Sequence, residues 1–131
     1  MFVTMIVGVY DKNKNELLLA NAGHEPPLIF SKDGNFKTID EAGPPLGIAP
    51  NFKFAEQIIS FKESSMYIFT DGITEMKNNN GEMLGQEGFQ DYIKKYQTTP
   101  NNKRLQKMIE DLISSGRIQK DDLTIVTVDG N

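Results

Sequence analysis

The stretch MYIFTDGITE at residues 66–75 decides the interpretation of the fold. Residues 66–70 are apolar on both faces and end in a threonine, which is typical of a β-strand buried inside a sheet. The strand leads directly into Asp71-Gly72, where glycine favours a turn. The sequence therefore predicts that the Asp71 carboxylate emerges at the tip of a buried strand, where the sheet meets solvent.

The segments before this strand are rich in β-forming residues. Residues 2–10 and 16–22 flank a cluster of polar turn formers, so we predict an antiparallel hairpin. We expect the first forty residues to be a meander that continues through short strands at 28–31 and 36–39. A loop at 41–48, shaped by two prolines and two glycines, and a strand at 56–61 should follow.

Residues 2–10 carry a further expectation. They are apolar on both faces and have no polar lead-in, so this strand should lie inside a sheet with a neighbour on each side. We therefore expect the chain to begin in the middle of a larger domain.

The segment after Asp71 is predicted to be helical. Apolar residues spaced i, i+3, i+4 and i+7 from Phe89 to Tyr96 predict one amphipathic helix, and the same spacing from Leu105 to Ile113 predicts a second. Thr99-Pro100 is expected to start the second helix and Gly116 to end it.

A last strand is predicted at residues 123–128, entered through Asp121-Asp122. The order of many strands, then helices, then one strand indicates an α+β fold with layered, mostly antiparallel sheets. A parallel α/β fold would have alternated strands and helices.

Composition limits the classes of function. The chain has 131 residues, enough for one domain, and a net charge of −4 with scattered basic residues, which disfavours nucleic acid as a partner. It contains no cysteine, which excludes disulfides, thiolate nucleophiles and cysteine-based metal sites. No apolar run approaches the roughly 20 residues that span a bilayer, and no secretion signal is visible, so we expect a cytoplasmic protein without a membrane segment.

The single histidine argues against a nucleophilic triad. His24 lies in a predicted loop between strands, and the sequence has no Gly-x-Ser-x-Gly elbow, phosphate-binding glycine loop or dinucleotide fingerprint. We expect His24 to order its own loop by hydrogen bonding rather than to bind a metal ion.

Carboxylate chemistry remains. Asp71 and Asp121-Asp122 lie at the ends of predicted strands, and oxygen ligands of this kind suit hard divalent cations that polarise phosphoryl oxygens. The residues alone leave a structural alternative open at both places, because Asp-Gly is a common strand-ending turn and Asp121-Asp122 equally fits a solvated strand flank.

Six motifs, taken in order, resemble a known family. This sequence is similar to the bacterial metal-dependent serine phosphatases of the protein phosphatase 2C-like (PPM) type, in the branch of the stage II sporulation phosphatase and the sigma-factor regulators. The motifs are Phe2-Val3-Thr4, ANAGHEPP (residues 20–27), GPPLG (43–47), FTDGITE (69–75), GEMLG (81–85) and DDLT (121–124).

The resemblance implies two antiparallel sheets packed face to face with helices outside, and a binuclear Mn²⁺ or Mg²⁺ centre. It implies that Asp71 and Asp121 are metal ligands and catalytic residues, with Asp122 in a supporting role. The implied reaction is hydrolysis of phosphoserine or phosphothreonine on a regulatory protein, such as an anti-sigma antagonist, by a water activated at the metal centre in a signal-transduction pathway.

The sequence also departs from the family pattern. Family domains carry an upstream Asp-Gly motif whose carboxylate bridges both metal ions, and no equivalent precedes Met1. We therefore expect residues 1–131 to be the C-terminal portion of a phosphatase domain, impaired when isolated. Two other hypotheses stay open: a non-catalytic binding module of the same fold, and a homodimer that forms through exposed strands.

Overall fold

The computed structural model describes residues 1–40 and 42–130, which form two antiparallel sheets and three helices. The elements are β1 (Met5–Asp11), β2 (Glu16–Ala22), β3 (Leu28–Ser31), β4 (Phe36–Thr38), β5 (Gln57–Ser60), β6 (Ser64–Phe69), α1 (Asp71–Thr74), α2 (Gly85–Lys95), α3 (Asn101–Ser114) and β7 (Ile125–Asp129). The sheets have the orders β1-β2-β5 and β4-β3-β6-β7. The predicted α+β class is confirmed. Glu41, the first residue of the predicted 41–48 loop, lies outside the described residues.

The chain divides into two units, Met1–Tyr67 with Val128–Asn131, and Ile68–Thr127. The first unit holds β1 to β5 and most of β6, and the second holds the three helices. Strands β6 and β7 contribute residues to both units. Within the described ranges, every helix is too short and too polar to cross a membrane.

In the first sheet, side chains alternate between a buried and an exposed face along each strand, and this alternation determines which of them form the core. In β2, Leu17 and Leu19 are buried, whereas Leu18 between them is exposed. The register places Leu17 opposite Ile59 of β5, which is buried as well. One face of this sheet therefore contributes to the core of the first unit.

The prediction of one continuous meander is wrong. Strand β2 pairs with β5, whereas β3 pairs with β4 and β6, so the chain changes sheets between β2 and β3. The connection contains Gly23, with a φ of +68°, and Pro26-Pro27. Because proline has no backbone N–H to donate, this segment cannot continue the ladder of the first sheet.

The expected second neighbour of the first strand is not among the described residues 1–40 and 42–130. Strand β1 lies at the edge of its sheet, and Val7 and Val9 are 49% and 65% exposed. The register places Val9 opposite Leu18, on the face that does not contribute to the core. Apolar composition on both faces indicated the strand, and a further neighbour beyond it stays a prediction.

The second unit contains the two predicted amphipathic helices. Phe89 and Ile93 of α2, and Met108 and Leu112 of α3, are fully buried. Helix α3 begins one residue later than predicted, with Pro100 at the N-cap position. It ends at Ser114, shortly before the predicted stop at Gly116, whose φ of +79° is the left-handed conformation that commonly follows a helix.

Helices α2 and α3 are linked by a cluster of three polar side chains. Lys95 Nζ donates a hydrogen bond to Asp111 Oδ2 at 2.6 Å, and Tyr96 OH donates to the same oxygen at 2.7 Å. These two hydrogen bonds, that from Lys95 first, lower the pKa of Asp111. The same contacts with Asp111 raise the pKa of Lys95 and of Tyr96.

This cluster predicts a pH window for stability. The contribution of Asp111 is complete above the unfolded aspartate pKa of about 3.9 and is lost as the pH falls through the lower folded value. The contributions of Tyr96 and Lys95 are complete below about pH 10 and are lost as the pH rises through their raised folded pKa values.

Asp111→Asn should therefore flatten both limbs of the curve of unfolding free energy against pH, measured by urea denaturation. Asp91→Asn, at an exposed position of α2, is the control, and a profile of Asp111→Asn that matches the wild type would contradict this account.

Candidate functional site

Asp71 follows the buried strand β6 after one residue, Thr70, close to the predicted strand end, and its side chain is exposed. The local structure differs from the expected turn, because Asp71 is the first residue of the short helix α1 and Thr70 is its N-cap. Backbone hydrogen bonds from Ile73 N to Thr70 O (3.1 Å) and from Glu75 N to Asp71 O (2.9 Å) close this single helical turn. Gly72 and Ile73 are buried, so the turn is fixed beneath an exposed carboxylate.

The segment that contains Asp121 and Asp122 is held against this turn by Thr70. Thr70 N donates to Thr124 O at 3.1 Å, and Thr124 N donates to Thr70 Oγ1 at 3.2 Å. The same hydroxyl donates to Asp122 O at 3.3 Å. One threonine therefore connects the start of α1 to the entrance of β7 through both its backbone and its side chain.

Gly72 allows the two segments to approach each other closely. A Cβ atom at this position would lie 2.3 Å from the backbone oxygen of Asp122 and 3.6 Å from the carbonyl carbon of Asp121. The first distance is far below any real Cβ contact, so only glycine fits here without movement of the backbone. The residue after Asp71 therefore determines how near the Asp121 segment lies.

Asp121 and Gly72 line the same small cavity, which has a volume of about 140 Å³. Its other lining residues are Glu75, Lys77, Met83 and Lys120, so both signs of charge meet there. One carboxylate oxygen of Asp121 accepts a hydrogen bond from Asp122 N at 2.9 Å, and the Asp121 side chain is exposed. The structure thus brings together the two segments that carry Asp71 and Asp121, which are far apart in the sequence.

The two carboxylates are the kind of ligand that a hard cation prefers, but they are too few to complete its coordination. Asp71 and Asp121 offer carboxylate oxygens, the ligands that Mg²⁺ and Mn²⁺ prefer. Within residues 1–40 and 42–130, however, no group of three or more His, Asp or Glu side chains is arranged to hold a metal ion. Two carboxylates would leave most of an octahedral coordination shell to water or to other ligands.

His24 belongs to the first unit, where a buried asparagine orders its loop. Asn21 is 1% exposed, and its Nδ2 donates to His24 O at 3.0 Å while its Oδ1 accepts from His24 N at 2.9 Å. The ring Nδ1 of His24 lies 3.2 Å from Glu25 O. Local hydrogen bonds therefore order the loop as expected, but sequence reasoning missed the contribution of Asn21. The signal was an asparagine two residues before a glycine, a pattern typical of side-chain-stabilised turns.

Residues 1–130 match the protein family described as Stage II sporulation protein E (SpoIIE). The chain belongs to the SpoIIE family. This result confirms the resemblance indicated by the six motifs, including the branch of PPM phosphatases to which the sigma-factor regulators belong.

Two curated relatives of this SpoIIE-family chain have moderate sequence identity. Protein IcfG of Synechocystis sp. is 30% identical over 136 residues, which cover 98% of this chain and 20% of IcfG. Phosphoserine phosphatase RsbU of Bacillus subtilis is 28% identical over 131 residues, which cover 98% of this chain and 39% of RsbU. The chain thus spans well under half the length of both relatives.

Solved structures support the fold. The RsbU and RsbW domains of Rv1364c from Mycobacterium tuberculosis superpose with a TM-score of 0.79 at 23% identity, covering 97% of this chain and 36% of that one. The SiaA-PP2C domain of Pseudomonas aeruginosa gives 0.74 at 18% identity, covering 91% and 48%. The Mn-presoaked phosphatase domain of SpoIIE from Bacillus subtilis gives 0.69 at 19% identity, covering 96% and 56%. The SpoIIE-family chain therefore has the antiparallel sheets and helices of a PP2C-like phosphatase fold.

The close approach at Gly72 predicts that Gly72→Ala is destabilising. The new methyl group would collide with the Asp122 carbonyl group, so we expect a loss of about 1–3 kcal/mol in the free energy of unfolding, measured by urea denaturation. Gly8→Ala is the matched control, because a Cβ atom there would lie 3.3 Å from the end of the flexible Leu17 side chain. Equal stability of the two variants would show that Gly72 does not fix the Asp121 segment.

Proposed function

We propose that residues 1–131 are the C-terminal portion of a metal-dependent protein serine/threonine phosphatase domain, in which Asp71 and Asp121 are metal ligands and catalytic residues. The observation that carries the proposal is the junction of the two segments at Thr70 and Gly72, beside two exposed carboxylates. Membership of the SpoIIE family supports the same chemistry.

The charged side chains beside the junction each have a proposed role in this reaction. The carboxylates of Asp71 and Asp121 would hold Mn²⁺ or Mg²⁺ and balance its charge. The cation, when bound, acidifies water and polarises a phosphoryl oxygen. Lys77 and Lys120 line the cavity beside Asp121 and would offer positive charge to the phosphoryl oxygens of the substrate.

The proposal includes an incomplete metal centre. The described residues contain no set of three ligands, and the binuclear centre of the complete domain needs more. This chain covers 56% of the solved SpoIIE phosphatase domain, which leaves room for further ligands in the remainder of such a domain. We therefore propose that the 131-residue chain binds the cation weakly and is impaired as an enzyme when isolated.

The proposed substrate is phosphoserine or phosphothreonine on a regulatory protein in a sigma-factor pathway, such as an anti-sigma antagonist. The relative RsbU is named a phosphoserine phosphatase, and the solved Rv1364c chain contains an RsbU domain together with an RsbW domain. A cytoplasmic location is part of the proposal, and the absence of cysteine from the sequence agrees with it.

Phosphate release from a phosphoserine peptide by the full-length protein, with Mn²⁺ and with a chelator, tests the proposed function. Asp71→Asn and Asp121→Asn should each lower kcat/KM at least about 100-fold, because each removes one charged ligand. Asp91→Asn, at an exposed position of α2, should leave kcat/KM unchanged. Undiminished Mn²⁺-dependent turnover in either site variant would refute the assignment.

The second candidate is a non-catalytic binding module with the phosphatase fold. The lack of a three-ligand group among the described residues favours it. It predicts that the full-length protein binds the phosphopeptide but releases no phosphate at any Mn²⁺ concentration. Chelator-sensitive release that requires Asp71 would exclude it.

A homodimer through exposed strands is also part of the proposal. Strand β1 is a sheet edge, and Val9, Leu18 and Ile58 form a row of exposed apolar residues across β1, β2 and β5. Open edges and exposed apolar faces favour association between chains. Sedimentation at several protein concentrations tests this point, and a monomer at all of them would contradict it.

A further inference from the structure

The second unit contains an apolar groove between α3 and the entrance of β7. Its volume is about 810 Å³, within the range of binding sites rather than of packing defects. Five of its lining side chains are apolar and incompletely covered: Leu105, Ile109 and Ile113 of α3, and Leu123 and Ile125 at the start of β7.

Helix α3 has more apolar surface than its own core requires. Met108 and Leu112 are fully buried and attach the helix to the second unit. Leu105, Ile109 and Ile113 form a second stripe at i, i+4 and i+8, and Ile113 is 56% exposed. Because side chains at this spacing form a ridge inclined to the helix axis, they present a continuous apolar wall to the groove.

The charges that line the groove are of one sign. Its remaining lining residues are polar, and the charged ones are the acidic residues Glu110 and Asp122. An apolar floor with an acidic rim is complementary to an amphipathic segment whose apolar side chains are flanked by lysine or arginine. A helix that binds in such a groove usually inserts apolar side chains spaced one helical turn apart, and the apolar side chains of the α3 stripe have the same spacing.

The groove is continuous with the candidate metal-binding edge. Gln119 and Asp122 line both the groove and the shallow depression that includes Lys120 and Asp121. A partner helix held in the groove would therefore place its flanking residues beside Asp121. This continuity favours the protein substrate, rather than a second copy of the chain, as the occupant.

We infer that this groove docks a basic amphipathic helix of the phosphoprotein substrate, next to the site where its phosphoryl group is hydrolysed. The inference rests on the proposed function for the identity of the partner. The recognition itself depends only on the apolar stripe of α3 and the two acidic residues.

Fluorescence anisotropy with the 131-residue chain and synthetic helical peptides tests the docking groove without requiring turnover. The first peptide carries leucines at one-turn spacing flanked by lysines, and the second has every lysine replaced by glutamate. The lysine peptide should bind, and Ile113→Gln and Glu110→Lys should each raise its Kd about tenfold, through lost apolar contact and reversed charge respectively. Ile48→Gln is the matched control, because Ile48 is 56% exposed, as Ile113 is, and lies outside the groove.

Three outcomes would overturn the inference: equal binding of the two peptides, a Kd that neither groove variant changes, or the same loss in the Ile48→Gln control. A groove variant that abolishes self-association in sedimentation would assign the groove to a second copy and would also overturn it.

Hydrolysis of p-nitrophenyl phosphate by the full-length protein separates this inference from the proposed function. This small substrate does not need the groove. A groove variant that hydrolyses it at the wild-type rate but has lost peptide selectivity therefore has a defect in docking alone. Hydrolysis that Asp71→Asn does not change would contradict the proposed metal site and would leave the docking inference untouched.

Discussion

The close approach of Gly72 to the backbone of Asp122 is the constraint on which the candidate site depends. The oxygen of Asp122 occupies the space that any larger side chain at position 72 would need. Thr70 forms two hydrogen bonds with Thr124 and donates a third to Asp122, so the segments are also joined just before the glycine. Two carboxylates that are 50 positions apart in sequence (71 and 121) thereby belong to one edge of the second unit.

Sequence reasoning predicted the elements that depend on local pattern. The stretch MYIFT at residues 66–70 indicated a buried strand, and the apolar spacing of α2 and α3 indicated both helices. Gly116 marked the end of α3, because a left-handed residue was needed there. These features follow from periodicity and from the allowed conformations of single residues.

What the sequence did not predict depends on long-range pairing. Nothing local distinguishes an edge strand from a central one, so the apolar composition of β1 did not predict its edge position among the described residues. The four-residue helix α1 is too short to show a period, and it appeared in the sequence only as an Asp-Gly turn. The steric role of Gly72 required the position of Asp122, which no spacing rule supplies.

The candidate site combines a buried base with two exposed carboxylates. Gly72 and Ile73 are buried, whereas Asp71 and Asp121 face solvent, an arrangement suited to a hydrated cation and a protein-bound phosphoryl group. The apolar groove beside it offers a partner more contact area than the small cavity alone. Family membership, geometry and charge therefore support the same proposed reaction.

The most direct test of the central claim is paramagnetic broadening by Mn²⁺ in the nitrogen-15 NMR spectrum of the 131-residue chain. If Asp71 and Asp121 hold one cation between them, amide signals of residues 71–73 and 121–123 should broaden together at the same Mn²⁺ concentration. Asp71→Asn should then restore both groups of signals. Broadening of one group without the other, or broadening of both that persists in Asp71→Asn, would contradict a shared metal site.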